Sequence, residues 1–221
     1  VTVKALVSLC AVLAALQARA SLAAADLDAV VRKVQERYDA TRDFTADVTQ
    51  EMTIASLGKT TTAHGTVAFK RPGKMRWDLS QGDEQVIVAD GETLWLYQPK
   101  EKQVLKAPFD VAFRATTPIS FLTGVGKIAQ DFDVSADGGD AKSGVLYLML
   151  VPRRDGAGVG KLRLTVARDS GEIRGAEIHD PLGNVSRLRF DHIKRNVGLS
   201  DDQFAFQVPP GVDVISAPIG Q

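Results

Sequence analysis

By residue type, the three histidines (His64, His179 and His192) are the groups best suited to proton transfer or metal binding near neutral pH. They fall in "TAHGT", "EIHDP" and "FDHIK", on separate segments that read as strands or turns, and no two stand at a metal-ligand spacing. His192 reads as a residue on a solvent-facing side. A serine nucleophile elbow, a phosphate loop and a dinucleotide fingerprint each need a glycine spacing that this chain lacks. "GVGK" (Gly124 to Lys127) has the composition of a loop, but it lacks the upstream glycine, and no Ser or Thr follows Lys127. Carboxylates gather in "SQGDEQ", "DGE" and "SDDQ", turn sequences where a solvated side chain is the ordinary outcome. The polar residues do not converge, so no catalytic residue, metal ligand or cofactor is assigned.

The elements that would have to position a site are mostly strands. One helix precedes them: Leu27, Val30, Val31, Val34 and Tyr38 recur at helical spacing, with Arg32, Lys33, Gln35, Glu36 and Arg37 filling the other side. From Phe44 the apolar period becomes two, through "FTADVTQEM", "TTTAHGTVAFKR" and "KMRWDL", which places Met75, Trp77 and Leu79 on one face. "EQVIVAD", a turn at Asp90-Gly91 and "TLWLYQ" form a hairpin pattern, and "KQVLKA" adds a further strand. Later come "GVLYLMLVP", "KLRLTVARD", "IRGAEIHD", "NVSRLRFDHI" and "FAFQV". Between the two groups, Ala107 to Phe132 loses the alternation and reads as one or two short apolar helices, and Ser135 to Gly144 reads as a loop.

Several of these strands are apolar on both faces: "VLYLMLV" entirely, "VIV" and "LWLY" nearly so. A parallel sheet would cover both faces with crossover helices, but no strand–helix rhythm is present, so the sheet is expected to be antiparallel. The pattern alone leaves two readings. One is a curved sheet wrapped around its own helices as an ordinary filled core. The other is a half-closed barrel lidded by helices, whose apolar lining exceeds what they can fill.

Composition narrows the partners. The 221 residues are 44% hydrophobic and 24% charged, which suits one folded domain and argues against disorder. Lys+Arg and Asp+Glu number 27 each, so no basic field is available for nucleic acid. Lys4, the apolar run Ala5 to Leu16 and the small residues after it follow the grammar of a secretory signal peptide over 1–25, cleaved after Ala20 or Ala25. Residues 26–221 then form the working domain. The run is too short to span a bilayer comfortably. Cys10 lies inside it after Leu9, the wrong context for a lipoprotein signal, and leaves with it.

Taken in order, "FTADVTQ" (Phe44 to Gln50), "GTVAFKRPGKMRWD" (Gly65 to Asp78), "VADGETLWLYQPKEKQV" (Val88 to Val104), "TPISFLTG" (Thr117 to Gly124), "HDPLGNVSRLRF" (His179 to Phe190) and "FAFQVPPGVDVI" (Phe204 to Ile215) resemble the periplasmic lipoprotein carrier family, LolA. The resemblance implies a mainly β (α+β) fold: an incomplete antiparallel β-barrel closed by a short α-helical lid around an apolar cavity. It implies a periplasmic monomer, not an enzyme, that holds the acyl chains of lipoproteins and binds no cofactor or ATP. Its partners would be an inner-membrane ABC-type release complex and an outer-membrane acceptor. A lipid- or glycolipid-binding envelope protein of the same fold is the alternative. On the matching positions, Arg71 would reach from the barrel to the lid as a latch, with Tyr38 and Leu122 its lid contacts. Trp77 would stand in the barrel wall. Met75 falls where the family can carry an aromatic residue near the cavity mouth that meets the release complex, and Met there departs from that pattern. Phe121 and Trp95 complete the residues expected around ligand and lid. From spacing alone, Arg71 would be a strand-end arginine with its head in water.

Overall fold

The computed structural model describes residues 26–109, 127–140, 142–153 and 160–216. Helix α1 occupies 26–39 and buries the face that its stripe dictates. Val30, Val31 and Val34 are buried, and Leu27 packs beside them. In chain order the strands are β1 (Asp43–Ile54), β2 (Lys59–Lys70), β3 (Lys74–Gln81), β4 (Gln85–Asp90), β5 (Thr93–Gln98), β6 (Gln103–Pro108), β7 (Phe132–Asp140), β8 (Val145–Pro152), β9 (Lys161–Ala167), β10 (Glu172–His179), β11 (Val185–Arg195) and β12 (Asp213–Ser216). A one-turn helix α2 (Ile128–Asp131) precedes β7, and 3-10 turns occupy Ala55–Leu57 and Asp201–Phe204.

The strands form a single 12-stranded sheet in the order β12-β6-β5-β4-β3-β2-β1-β11-β10-β9-β8-β7. The end strands β7 and β12 are not neighbours, so the sheet is an open barrel. Alternation decides which side chains face inward. Met75, Trp77 and Leu79 of β3 are buried together, Trp77 opposite Val67 and Ile87, Met75 opposite Phe69 and Ala89. On the other half, Leu148 and Leu150 of β8 oppose Leu164 and Leu162 of β9. In β11, Leu188 and Phe190 oppose Gln50 and Val48 of β1. The apolar residues among these join Val30, Val31 and Val34 of α1 in one core, so the helix lies on the inner face of the curled sheet.

The doubly apolar strands β4 and β5 turn out to have a second cover. Val88, Trp95 and Tyr97 point away from the interior, and Val104 of β6 joins them opposite Tyr97. The chain after β11 crosses this outer face. Its 3-10 turn packs on β3 and β4, burying Phe204, while Phe206 sets its ring 6.0 Å from Trp95 and 6.2 Å from Tyr97. Asp201 anchors the crossing on Lys70 and Lys74, at 2.6 and 2.7 Å. The expected strand "FAFQV" is therefore a correction. Phe204 and Phe206 keep a period of two, but they cap a sheet face instead of adding a ladder.

Three further expectations shift. Ser135 to Asp140 is the second half of β7, not a loop: it lies on a sheet edge, where polar residues and irregular register discourage pairing with other chains. The register slips between Ala136 and Gly139, and a Cβ on Gly139 would lie 2.5 Å from the Val145 carbonyl oxygen. Strand β12 runs parallel to β6, the exception in an otherwise antiparallel sheet, because the outer crossing returns the chain to that edge in β6's direction. Of the stretch expected as short helices, Ala107 and Pro108 end β6, α2 supplies one helical turn and Phe132 opens β7. Residues 110–126 lie outside the described residues.

Candidate functional site

The end of α1 and the rim of the sheet flank a half-open cavity of about 90 Å³, with Val34, Tyr38, Phe44, Phe69, Phe190 and Ile193 on its wall and Arg37, Arg71, Glu172 and Arg195 also lining it. The wall side chains come from α1, β1, β2 and β11, each placed by its own periodicity. The aromatic rings continue inward from it. Phe44 stacks on Phe69 at 4.8 Å, Phe69 meets Trp77 edge-on at 6.2 Å and 85°, and Trp77 meets Phe190 at 6.4 Å and 73°.

Arg71 stands just past β2, where its backbone N–H donates to the Arg42 carbonyl at 2.8 Å. From there its Nη2 donates to the Tyr38 carbonyl oxygen at 2.8 Å, and its guanidinium carbon lies 4.4 Å from the Tyr38 ring centroid. The strand end thus grips the last turn of α1, at the helix terminus where backbone carbonyls lack intrahelical partners and a cation is favoured.

A second grip comes from residues that the sequence reading left on the polar side of the helix. Arg37 donates through Nη1 to the Ser170 carbonyl at 3.1 Å and through Nη2 to Glu172 Oε2 at 3.2 Å. Arg195 approaches the same oxygen at 3.5 Å. Burial, then the nearby Arg37 charge, pushes Arg195 below its usual range, while Glu172 opposes the shift. Gly171 makes the approach possible: its φ of +68° suits glycine, and a Cβ there would sit 2.7 Å from the Lys33 carbonyl carbon of α1. Gln35 Oε1 accepts from Ile128 N at 3.0 Å, which ties α1 to α2. The corner below is fixed by the buried Asp43, whose carboxylate accepts from Val197 N at 2.7 Å and Gly198 N at 3.1 Å.

Of the residues expected at the site, Arg71 and Tyr38 meet on the cavity itself. Trp77 and Met75 lie in the interior wall, 3% and 0% exposed, so Met75 presents no surface to an outside partner in this conformation. Trp95 is a correction: it faces the outside of the sheet against Phe206, because its register partner Val88 is an outward residue. Phe121 and Leu122 lie outside the described residues. The missed residues are Phe44, Phe69, Phe190, Arg37, Glu172 and Arg195. The phenylalanines were visible as inward positions of quoted strands, whereas nothing local marks two arginines and a glutamate distant in sequence as neighbours.

The histidines stay apart. His64 pairs with Thr49 at 3.2 Å, His179 with Glu177 at 2.6 Å and His192 with Asp47 at 2.7 Å, and none lines the cavity. Among the described residues, no three His, Cys, Asp or Glu gather as metal ligands would. None of the described helices is long and apolar enough to cross a membrane. What the arrangement can do chemically is bury hydrocarbon behind a helix held by a few polar ties.

Comparison with known proteins agrees on one family. The family described as "Outer membrane lipoprotein carrier protein LolA" matches residues 39–207. The chain is similar to the outer-membrane lipoprotein carrier protein of Methylobacillus flagellatus, 30% identical, covering 84% of this chain and 88% of that protein. It is 33% identical to that of Neisseria meningitidis serogroup C, over 74% and 77% of the two chains. Against that of Pseudomonas aeruginosa, strain UCBPP-PA14, identity is 32% over 91% and 95%. In fold it is similar to an uncharacterized conserved protein from Thermus thermophilus, with a TM-score of 0.53 at 14% identity over 86% and 98% of the chains.

Proposed function

The chain belongs to the LolA family of outer-membrane lipoprotein carriers, and from that membership we propose that it binds the acyl chains of lipoproteins and ferries them across the periplasm. In this reading it receives cargo from an ABC-type release complex of the inner membrane and delivers it to an outer-membrane acceptor. It makes and breaks no covalent bond. Residues 1–25 are the export leader, cut after Ala20 or Ala25, and mass spectrometry of the N-terminus of the exported protein tests this.

The observation that carries the reading is the cavity under α1: apolar, and too small for its cargo. A volume of about 90 Å³ holds a few water molecules, far short of an acyl chain. Loading therefore requires α1 to lift and the chain to enter between helix and sheet. Withdrawing Val30, Val31 and Val34 from the core costs at most about 5–9 kcal/mol, at roughly 1.5–3 kcal/mol for each side chain. An acyl chain of about sixteen carbons regains roughly 12 kcal/mol when shielded from water, at about 0.8 kcal/mol per methylene. One chain is thus enough to displace the helix, and its alkyl surface replaces the wall that the valines lose. The polar ties of Arg71 and Arg37 oppose the opening by a smaller amount, so cargo can still be handed to a site of moderately higher affinity.

The test is release. Inner-membrane vesicles carrying the release complex and a labelled lipoprotein are incubated with the purified exported protein. The expected result is lipoprotein in the soluble fraction, in complex with the carrier. Lipoprotein that stays with the vesicles would overturn the reading.

A further inference from the structure

Among the described residues, two buried side-chain polar atoms have no hydrogen-bond partner: Nε1 of Trp77 and Nε of Arg37. Both are N–H donors, and no buried side-chain acceptor of the described residues is left over with them. Trp77 is 3% exposed and sits on the inner face of β3, edge-on to Phe69 and Phe190, two of the rings that wall the cavity under α1. Arg37 lines that cavity itself. A buried donor without an acceptor is costly and rare in folded proteins. A wall needed only for alkyl contact would be served by phenylalanine, which carries no such donor.

We propose that Trp77 Nε1–H is a hydrogen-bond subsite for a carbonyl oxygen of the cargo's acyl linkage. This rests on the carrier reading and gives it a chemical specificity: the site takes acyl esters or amides in preference to bare alkyl chains. The complementarity is one of type. The interior behind the cavity offers a donor lacking an acceptor, and the linkage region of an acylated glyceryl group offers acceptors, with no donor of its own when the linkage is an ester. Trp77 lies one ring beyond the cavity surface, so a carbonyl reaches the indole only once α1 has moved and Phe69 or Phe190 has given way. Because the N–H is satisfied only when cargo is present, the bond acts on the loaded state alone and adds to affinity without adding apolar surface.

The experiment compares two lipopeptide probes with the same peptide and chain length. In one, two palmitoyl chains are ester-linked to an S-glyceryl cysteine; in the other, ethers replace the esters and remove the carbonyls. The wild-type protein is expected to hold the ester probe about tenfold more tightly. Trp77→Phe is expected to bring that ratio close to one, whatever the change in affinity common to both probes. The chain has two tryptophans, and Trp95 faces the outside, so Trp95→Phe assigns the two indole N–H resonances. The Trp77 signal should move downfield with the ester probe and stay in place with the ether probe. Equal wild-type affinity for the two probes, or an indole shift of the same size with both, overturns the subsite. That comparison needs no variant, so it stands even if Trp77→Phe does not fold. If neither probe binds, the carrier reading falls and the subsite with it.

Discussion

Replacing Arg71 by leucine removes two contacts that hold α1 down and leaves the apolar wall intact. The first is the 2.8 Å bond from Nη2 to the Tyr38 carbonyl, a charged donor worth about 1.5–3 kcal/mol when shielded. The second is the guanidinium at 4.4 Å over the Tyr38 ring, worth about 0.5–2 kcal/mol. Both are partly solvent-exposed, so the lower ends apply and the combined loss is about 2 kcal/mol. At 1.4 kcal/mol per factor of ten, the equilibrium between closed and open helix shifts roughly thirtyfold toward open. The leucine also adds surface that favours a bound acyl chain. Release of lipoprotein from inner-membrane vesicles should therefore continue, while transfer to acceptor-bearing membranes should slow by a comparable factor. Amide hydrogen exchange in α1 should quicken in the empty protein. Arg71→Lys should be milder, since an ammonium can still donate to Tyr38, although the planar fork that covers its ring is gone. The latch fails as an explanation if Arg71→Leu transfers at the wild-type rate, or if it is blocked at release alone.

Three other outcomes follow from the same structure. Replacing His64, His179 and His192 together with glutamine should leave transfer largely intact, because none lines the cavity; loss of transfer in a folded triple variant would contradict this. Phe204→Ala should cost about 3–5 kcal/mol of unfolding free energy in denaturant titration, yet leave binding of a diacylated probe unchanged, since Phe204 is buried on the outer face. The exposed Asp201 is held down to about 2, from 3.8, by hydrogen bonds from Lys70 and then Lys74. A depressed carboxylate stabilises the fold above its unfolded value and loses that contribution as pH falls through the folded one. Asp201→Asn should accordingly melt lower than wild type near neutral pH, with the gap closing in thermal scans as pH drops from about 3.8 toward 2.

Sequence and structure agree wherever a local rule was enough. The spacing of Val30, Val31 and Val34 fixes the buried face of α1 whatever it packs on. Alternation in "KMRWDL" puts Met75, Trp77 and Leu79 on one side, and Asp90-Gly91 makes the turn between β4 and β5, with Asp90 Oδ1 accepting from Glu92 N and Thr93 N at 2.8 Å. The resemblance carried the family, and it carried Arg71 beside Tyr38. Periodicity shows that a strand has two apolar faces but not what covers each. The resemblance implied a cavity lined by the surplus apolar surface, yet in β4 and β5 one face lies against the barrel interior and the other lies under the chain's own Phe204 and Phe206. That is why Trp95, indistinguishable from Trp77 by type, ended on the opposite side. The ionic cluster of Arg37, Glu172 and Arg195 was hidden for the same reason. It forms only when β10 and β11 bring their ends to α1, and a charge pair between residues more than a hundred positions apart leaves no trace in any local window. The elements were set by short-range stereochemistry and patterning. Which faces meet, and so where the cavity lies, was decided by long-range packing.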